Sequence, residues 1–313
     1  MKILAIIPNM ECPTSFWRAV GPLSYMRDLD VTYNDTDGTW PTLIGYDMVF
    51  LHRPSIPDHV DIMKRCRIMG IPTWIDYDDN LLKVAPSNPS SSHYNSPTTK
   101  SAILDCVKLA DRVTVSTIPL KVALGNTDKI QVVRNAWDFK LFPYQPYTQQ
   151  KVIVCRGSAT HDEDILTHLE EIIRIHHDFP EYQWVFMGGI NWQVMPHLDR
   201  KRVRVIKPTD PISYMHTLRQ LSPEWFLVPL TDTNFNHCKS DIAWLEATYA
   251  GAACLGPDFV EWQSPGVTKY TKDCGLYDTF KNCRQTAPGM VESSRRYIEL
   301  NRTLFDANIM RKP

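Results

Sequence analysis

In the run FNHCKSDIAWLEATYAGAACLG, Phe235 to Gly256, a cation, a helix-capping hydroxyl and one embedded acid fall at spacings that could hold a phosphorylated ligand. Ser240 is a good N-cap ahead of Asp241. Ile242, Leu245 and Tyr249 recur at i, i+3 and i+7, giving a helix one apolar face that Gly251 stops. A helix N-terminus presents unpaired N–H groups and a partial positive charge, to which Lys239 adds a full one, so phosphate is its natural occupant. Glu246 lies two turns, roughly 10 Å, along the same face from Lys239. A diphosphate at the helix start would put an attached ribose within reach of that carboxylate, which accepts two hydroxyl hydrogen bonds. This pairing suggests a nucleotide-sugar pocket; a capped surface helix with a solvated Lys and Glu accounts for the same run.

Two other strand ends carry ionisable side chains. In IPTWIDYDDN, Ile71 to Asn80, a buried strand runs into Asp76, Asp78 and Asp79 at its carboxyl end, where open α/β sheets place their chemistry. Carboxylates this close raise one another's pKa, bind a cation, or pair with Lys and Arg, and Asp79 also reads as an N-cap ahead of Asn80-Leu81-Leu82. In CRGSATHDEDILTHLEEII, a strand ending at Cys155 passes through a Gly-Ser turn into a helix with Ile165, Leu169, Ile172 and Ile173 on one face. Arg156 can grip phosphate bidentately, Gly157 lets backbone come close, Ser158 or Thr160 can cap, and His161 could touch phosphate or sugar. Alternatively, Arg156 pairs with Asp162 or Asp164.

Short apolar runs separated by helical stretches must position these groups. One series comprises Ile3–Ile7, Met48–Leu51, Thr73–Ile75, Val113–Val115 and Ile130–Val133; a second comprises Val152–Cys155, Trp184–Met187, Val203–Ile206, Trp225–Val228 and Ala252–Leu255. The alternation predicts two mostly parallel sheets covered by helices, with a cleft between two domains as the default ligand site. FPYQPYTQQ, Phe142 to Gln150, has two prolines and no periodicity and reads as the linker. PSNPSSSHYNSP, Pro86 to Pro97, has loop composition and reads as a lid over the cleft or a disordered excursion.

A chain of 313 residues, 43% hydrophobic and 22% charged, has the composition of a soluble globular protein with room for two cores. A net charge of −1, balanced in both halves, gives no overall signature for a polyanionic partner. The eight cysteines are scattered without C-x-x-C pairs, as expected of free thiols in a reducing cytoplasm. MKILAIIPNM is too short in apolar residues for a signal sequence or a membrane span and reads as a first buried strand.

Taken in order, these segments resemble the GT-B glycosyltransferases, and within them the retaining family-four group that uses nucleotide-diphosphate sugars. The resemblance runs from the first strand with Arg18 through YDMVFLHRP, which carries Arg53, GIPTWIDYDDN, ADRVTVST, VVRNAWD, RGSATHDED, VFMGG and the Phe235–Gly256 run. It implies two Rossmann-like domains facing a central cleft: 1–145 for the acceptor and 151–290 for the donor. A helical tail, 291–313, with Tyr297, Leu300 and Leu304 at helical spacing, would pack back on the first domain. In that family a Glu-x7-Glu pair follows the fourth strand of the second domain; its second member is Glu246 here and its first falls at Cys238, which is not an acid. The N-x-x-K-S form, Asn236, Lys239 and Ser240, is similar to a variant of short phage and bacterial relatives whose Lys-Ser pair holds the diphosphate. The family's Arg and Lys phosphate pair appears as Arg156 and His161, and a family His falls at Asp78.

The expectation is therefore a cytoplasmic hexosyltransferase using a nucleotide-diphosphate sugar, a UDP-sugar such as UDP-glucose, with retention and without a metal or other cofactor. The donor would be held by Arg156, Gly157, Ser158, His161, Asn236, Lys239, Ser240 and Glu246. Asp78 and Asp79 would be catalytic, and Arg18 and Arg53 would line the acceptor side. An envelope glycan, a protein, or a hydroxymethylated base in phage DNA would suit as acceptor. For DNA, Arg200, Lys201, Arg202, Arg204 and Lys207 could meet backbone phosphates. The rivals are a non-catalytic nucleotide-sugar-binding GT-B module, motivated by Cys238, and a sugar-nucleotide epimerase.

Overall fold

The computed structural model describes residues 2–9, 12–26, 30–35, 42–157 and 159–311. The first sheet contains β1 (Lys2–Ile7), β2 (Asp30–Asp35), β3 (Met48–His52), β4 (Thr73–Tyr77), β5 (Arg112–Val115) and β6 (Ile130–Val132), ordered β2-β1-β3-β4-β5-β6. The second contains β7 (Gln150–Arg156), β8 (Gln183–Met187), β9 (Val203–Ile206), β10 (Pro223–Leu227), β11 (Ala253–Pro257) and β12 (Val267–Tyr270), ordered β12-β11-β10-β7-β8-β9. Every strand pair is parallel. Both faces of each sheet are therefore covered, which is why the central strands read as continuous apolar runs rather than alternating ones. In the first sheet Leu4, Val49, Leu51 and Ile75 pack on one side and Ile3, Ala5, Phe50 and Trp74 on the other.

Ten strands coincide with the apolar runs, with ends shifted by a residue or two. Two of the four edge strands, β2 and β12, have no counterpart among the apolar runs, because DVTYND and VTKY carry too much polarity to stand out. Pairing of His52 with Asp76 in register brings the ends of β3 and β4 level, so Arg53 and Asp78 leave the sheet side by side. Arg156 likewise ends β7 opposite Met187 of β8.

Phe142–Gln150 crosses between the sheets, but it is anchored rather than free. Phe142 is buried, its carbonyl accepts the Trp137 indole N–H at 2.9 Å, and Tyr147 packs so closely on Gly251 that a Cβ there would meet its ring at 2.5 Å. Trp137, Phe142 and Tyr249 form an aromatic cluster against Phe16 and Trp17 of the first domain. The segment 86–97 is structured: Ser91–Tyr94 is a helical turn, and the Ser87 hydroxyl bonds Glu163 across the cleft.

The helix Ala287–Asn301 packs on the second domain through Val291, Ser294 and Ile298, with half-buried Tyr297 6.1 Å from the Trp244 ring, whereas Leu300 is 69% exposed and lies off the buried face. The chain then returns to the first domain. Arg302 and Leu304 exchange backbone hydrogen bonds with Trp137, and the helix Leu304–Arg311 lies against Gly21–Ser24. Among the described residues no helix is long and apolar enough to cross a membrane.

Candidate functional site

The carboxyl ends of β3, β4, β7, β8 and β10 face one another across a cavity of about 530 Å³ lined from both domains. This is where the crossovers of doubly wound sheets leave room for a ligand.

The helix over the second-domain side is Ile242–Ala250, and its N-cap is Asp241, not Ser240. Asp241 serves a structural purpose there, since its carboxylate takes two bonds from Arg302 at 2.7 and 3.0 Å and one from Ser264 at 3.0 Å. Ser240 points across the cleft instead, accepting from the Asn135 amide at 2.8 Å. Gly251 ends the helix with φ +81°, a conformation open to glycine at no steric cost. The helix is buried all round from Ala243 to Ala250, not along one stripe, so Glu246 is an acid inside protein.

Glu246 receives the Tyr214 hydroxyl at 3.0 Å and lies 3.1 Å from Arg156 Nε. Burial raises its carboxyl pKa above the usual glutamate range, against the pull of Arg156 and the Tyr214 hydrogen bond. Arg156 thus pairs with Glu246 rather than Asp162 or Asp164. Tyr214 sits on the helix Pro211–Leu221 and carries no local sequence signal.

Lys239 lies 3.7 Å from Asp79 of the other domain and 4.6 Å over the Phe235 ring. Asp79 also accepts from Arg53 at 2.6 Å, and Asp78 is gripped by Arg53, one contact measuring 2.7 Å. Of the three fates open to this acidic strand end, ion pairing is the one realised, and among the described residues no group of three metal-ligating side chains forms. Burial would raise the Asp79 carboxyl, but Lys239 and Arg53 outweigh it and hold its pKa below the ordinary range. Asp79 caps no helix, because the chain after it runs through bends and turns and the next helix starts only at Ser91. Arg53 holds this geometry from a backbone φ of +54°, a left-handed conformation uncommon outside glycine.

Arg18 touches the cavity, but its guanidinium is committed. It donates to both Asp76 oxygens at 2.9 and 2.7 Å, to the Val133 carbonyl at 2.6 Å and to Asn135 at 3.1 Å. These bonds brace the cleft floor. Asn236 does not reach the cavity wall: it is buried, with its amide spent on Asp164 at 2.6 Å and the Thr231 carbonyl at 2.9 Å. Gly157 and His161 line the cavity, and Ser158 lies outside the described residues.

Cys238, in the position where the resemblance places an acid, is 4% exposed and packs into the first domain's core. Its thiol meets the Asn80 amide at 3.6 Å and its carbonyl accepts from Thr117 at 2.8 Å. The basic run is split: Arg202 is tied to the His176 carbonyl and Asp199, Lys207 lines the cavity, and Arg200, Lys201 and Arg204 are exposed.

No protein-family model and no curated protein matches this chain. Solved structures do. TarM aligns at TM-score 0.59 and 9% identity over 83% of this chain and 53% of its own, so the chain spans about half of TarM. The UDP-forming α,α-trehalose-phosphate synthase of Burkholderia vietnamiensis gives TM-score 0.57 and 10% identity over 84% and 73%. The UDP-GlcNAc 2-epimerase of Neisseria meningitidis, solved with UDP-GlcNAc, gives 0.55 and 12% over 99% and 98%. The architecture is GT-B, the α/β fold of two parallel sheets about a cleft that these glycosyltransferase and epimerase structures share.

Proposed function

We propose that the chain is a glycosyltransferase that takes a sugar from a nucleotide-diphosphate donor, a UDP-sugar, and transfers it with retention to a hydroxyl acceptor. The observation that carries this reading is the convergence of Arg156, Lys239 and Glu246 on one cavity at the strand ends of both domains. Arg156 and Lys239 neutralise the diphosphate without calling on a metal ion, and Glu246, steadied by Tyr214, takes the ribose hydroxyls. As the glycosidic bond breaks, charge grows on the leaving phosphate next to these two cations, which is where fixed positive charge lowers the barrier. That phosphate then accepts the acceptor's proton. Asp78, held by Arg53, orients the acceptor hydroxyl from the opposite wall. Asp79 fits a charge-balancing role better than that of a base, since the cations beside it keep it ionised.

The acceptor is read as an envelope glycan or a modified base in phage DNA, with Lys207 at the cleft and Arg200, Lys201 and Arg204 outside it as the cations an anionic polymer would meet. Salt-independent or absent DNA binding removes the DNA version. A sugar-nucleotide epimerase stands as the second reading, because the Neisseria epimerase matches over nearly the full length of both chains.

Incubation with UDP-glucose, UDP-galactose and UDP-N-acetylglucosamine, with and without a glycan or hydroxymethylated DNA, separates these readings. Acceptor-dependent UDP release with an α-linked product by NMR supports the transferase; epimer formation without acceptor supports the alternative. UDP affinity unchanged in both Lys239→Ala and Glu246→Ala would sink the pocket.

A further inference from the structure

His161 lies against the backbone of Gly157 on the cavity wall. A Cβ at Gly157 would come within 2.9 Å of the His161 Cβ and 3.1 Å of its ring, so glycine is what admits the ring. Nδ1 of His161 is 2.8 Å from Asp164 Oδ2, and the other Asp164 oxygen accepts from Thr231 N at 2.9 Å and Asn236 Nδ2 at 2.6 Å. Asp164 is only 5% exposed, and burial raises its pKa, but the His161 and Thr231 hydrogen bonds prevail and keep it ionised. A carboxylate cannot donate, so the proton of this pair resides on His161 Nδ1. Nε2 is then a lone-pair acceptor on a ring that faces the cavity. Burial and the charges of Lys239 and Arg156 favour this neutral ring over imidazolium. A neutral acceptor next to two phosphate-binding cations is ill suited to a phosphate oxygen, which has no proton to give. It suits a hydroxyl one group further along the ligand.

We propose that His161, fixed in tautomer and direction by the buried Asp164–Asn236 pair, reads a hydroxyl of the donor's sugar through Nε2 and so selects the sugar rather than binding the diphosphate. This rests on the nucleotide-sugar reading of the cavity. Asp164 and Asn236 act through His161 and are positioning residues.

The test is calorimetric titration of the full chain and of His161→Phe with UDP, UDP-glucose, UDP-galactose and UDP-N-acetylglucosamine. The expected result is that at least one UDP-sugar binds wild type more tightly than UDP does, and that His161→Phe weakens that sugar by about tenfold while leaving UDP unchanged. Equal loss for UDP and UDP-sugar, no loss for either, or no gain from any sugar in wild type overturns the proposal while sparing the diphosphate pocket. If no nucleotide binds at all, both readings fall. Long-range 1H–15N NMR gives a second readout that folding alone does not move: the His161 signal, assigned by its absence from His161→Phe, is expected as the Nδ1–H tautomer and shifts toward Nε2–H in Asp164→Asn. An Nε2–H tautomer in wild type overturns the proposal directly.

Discussion

Asp79→Asn is expected to tighten nucleotide binding, although it removes a charged residue from the heart of the cleft. Without ligand, Lys239 is neutralised from across the cleft by Asp79 at 3.7 Å, their side chains 16% and 21% exposed. A diphosphate must displace that carboxylate before it can claim the ammonium. The bare Coulomb attraction at this distance is about 4 kcal/mol at the effective dielectric near a protein surface. Partial solvation, salt and the competing claim of Arg53 reduce the net cost to about 1 kcal/mol, so the substitution improves UDP binding roughly five- to tenfold. The amide that replaces the carboxylate would keep its shape, and Arg53 would keep Asp78 as its partner. Isothermal titration of wild type and Asp79→Asn with UDP at low and high salt reads the effect, and the gain shrinks as salt screens the pair. Weaker UDP binding by Asp79→Asn would refute the reasoning, because Asp79 would then be organising Lys239 for the phosphate, not competing with it.

UDP affinity should fall on acidification at a pH above the ordinary glutamate range, because burial raises the Glu246 pKa and only the ionised form accepts two ribose hydroxyls. In Glu246→Gln that acid limb flattens and neutral-pH affinity drops about tenfold, both visible by titration across pH. Cys238→Glu puts a carboxylate in the first domain's apolar core next to Asn80 and is expected to cost about 3 kcal/mol or more in urea unfolding, whereas Cys238→Ser costs far less. Arg302→Met leaves Asp241 buried with Ser264 as its remaining side-chain donor. It should cost about 3–5 kcal/mol in the same assay, and a loss under about 1 kcal/mol would show the pair to be dispensable.

What could be read in the sequence divides along a physical line. Strands buried on both faces announce themselves, so Ile3–Ile7, Met48–Leu51 and Trp225–Val228 sufficed to place two parallel sheets, and the residues just past their ends fell at the cleft. Of the four edge strands, β6 and β9 keep enough Ile and Val to be read, whereas β2 and β12 are more polar and left no comparable trace. Within the site, Lys239, Arg156 and Asp79 were legible because each follows a strand or precedes a helix, and Glu246 because it is the lone acid of an apolar helix. Their pairing was not: Tyr214 comes to Glu246 from a separate helix, and Asp79 comes to Lys239 from the other domain. The cap went to Asp241 instead of Ser240 because a carboxylate there satisfies Arg302 of the returning tail, a partner 61 residues away that no local pattern reveals. Asn236 is drawn away from the cavity in the same manner, by Asp164 at a separation of 72 residues.

Cys238 shows how these long-range pairings act together. Where the resemblance calls for an acid, the thiol plugs the first domain's core, and the residues after it reach the opposite wall in sequence: the Cys238 carbonyl to Thr117, Lys239 to Asp79, Ser240 to Asn135. A carboxylate at 238 would have to be desolvated between Asn80 and the field of Asp79, which already opposes ionisation of the thiol. The first domain instead lends its own acid, Asp79, to the Lys239 side of the cleft. Acid and cation therefore sit on different domains and meet across the cleft. A one-domain Glu would keep its place when the domains part, but the Asp79–Lys239 contact cannot.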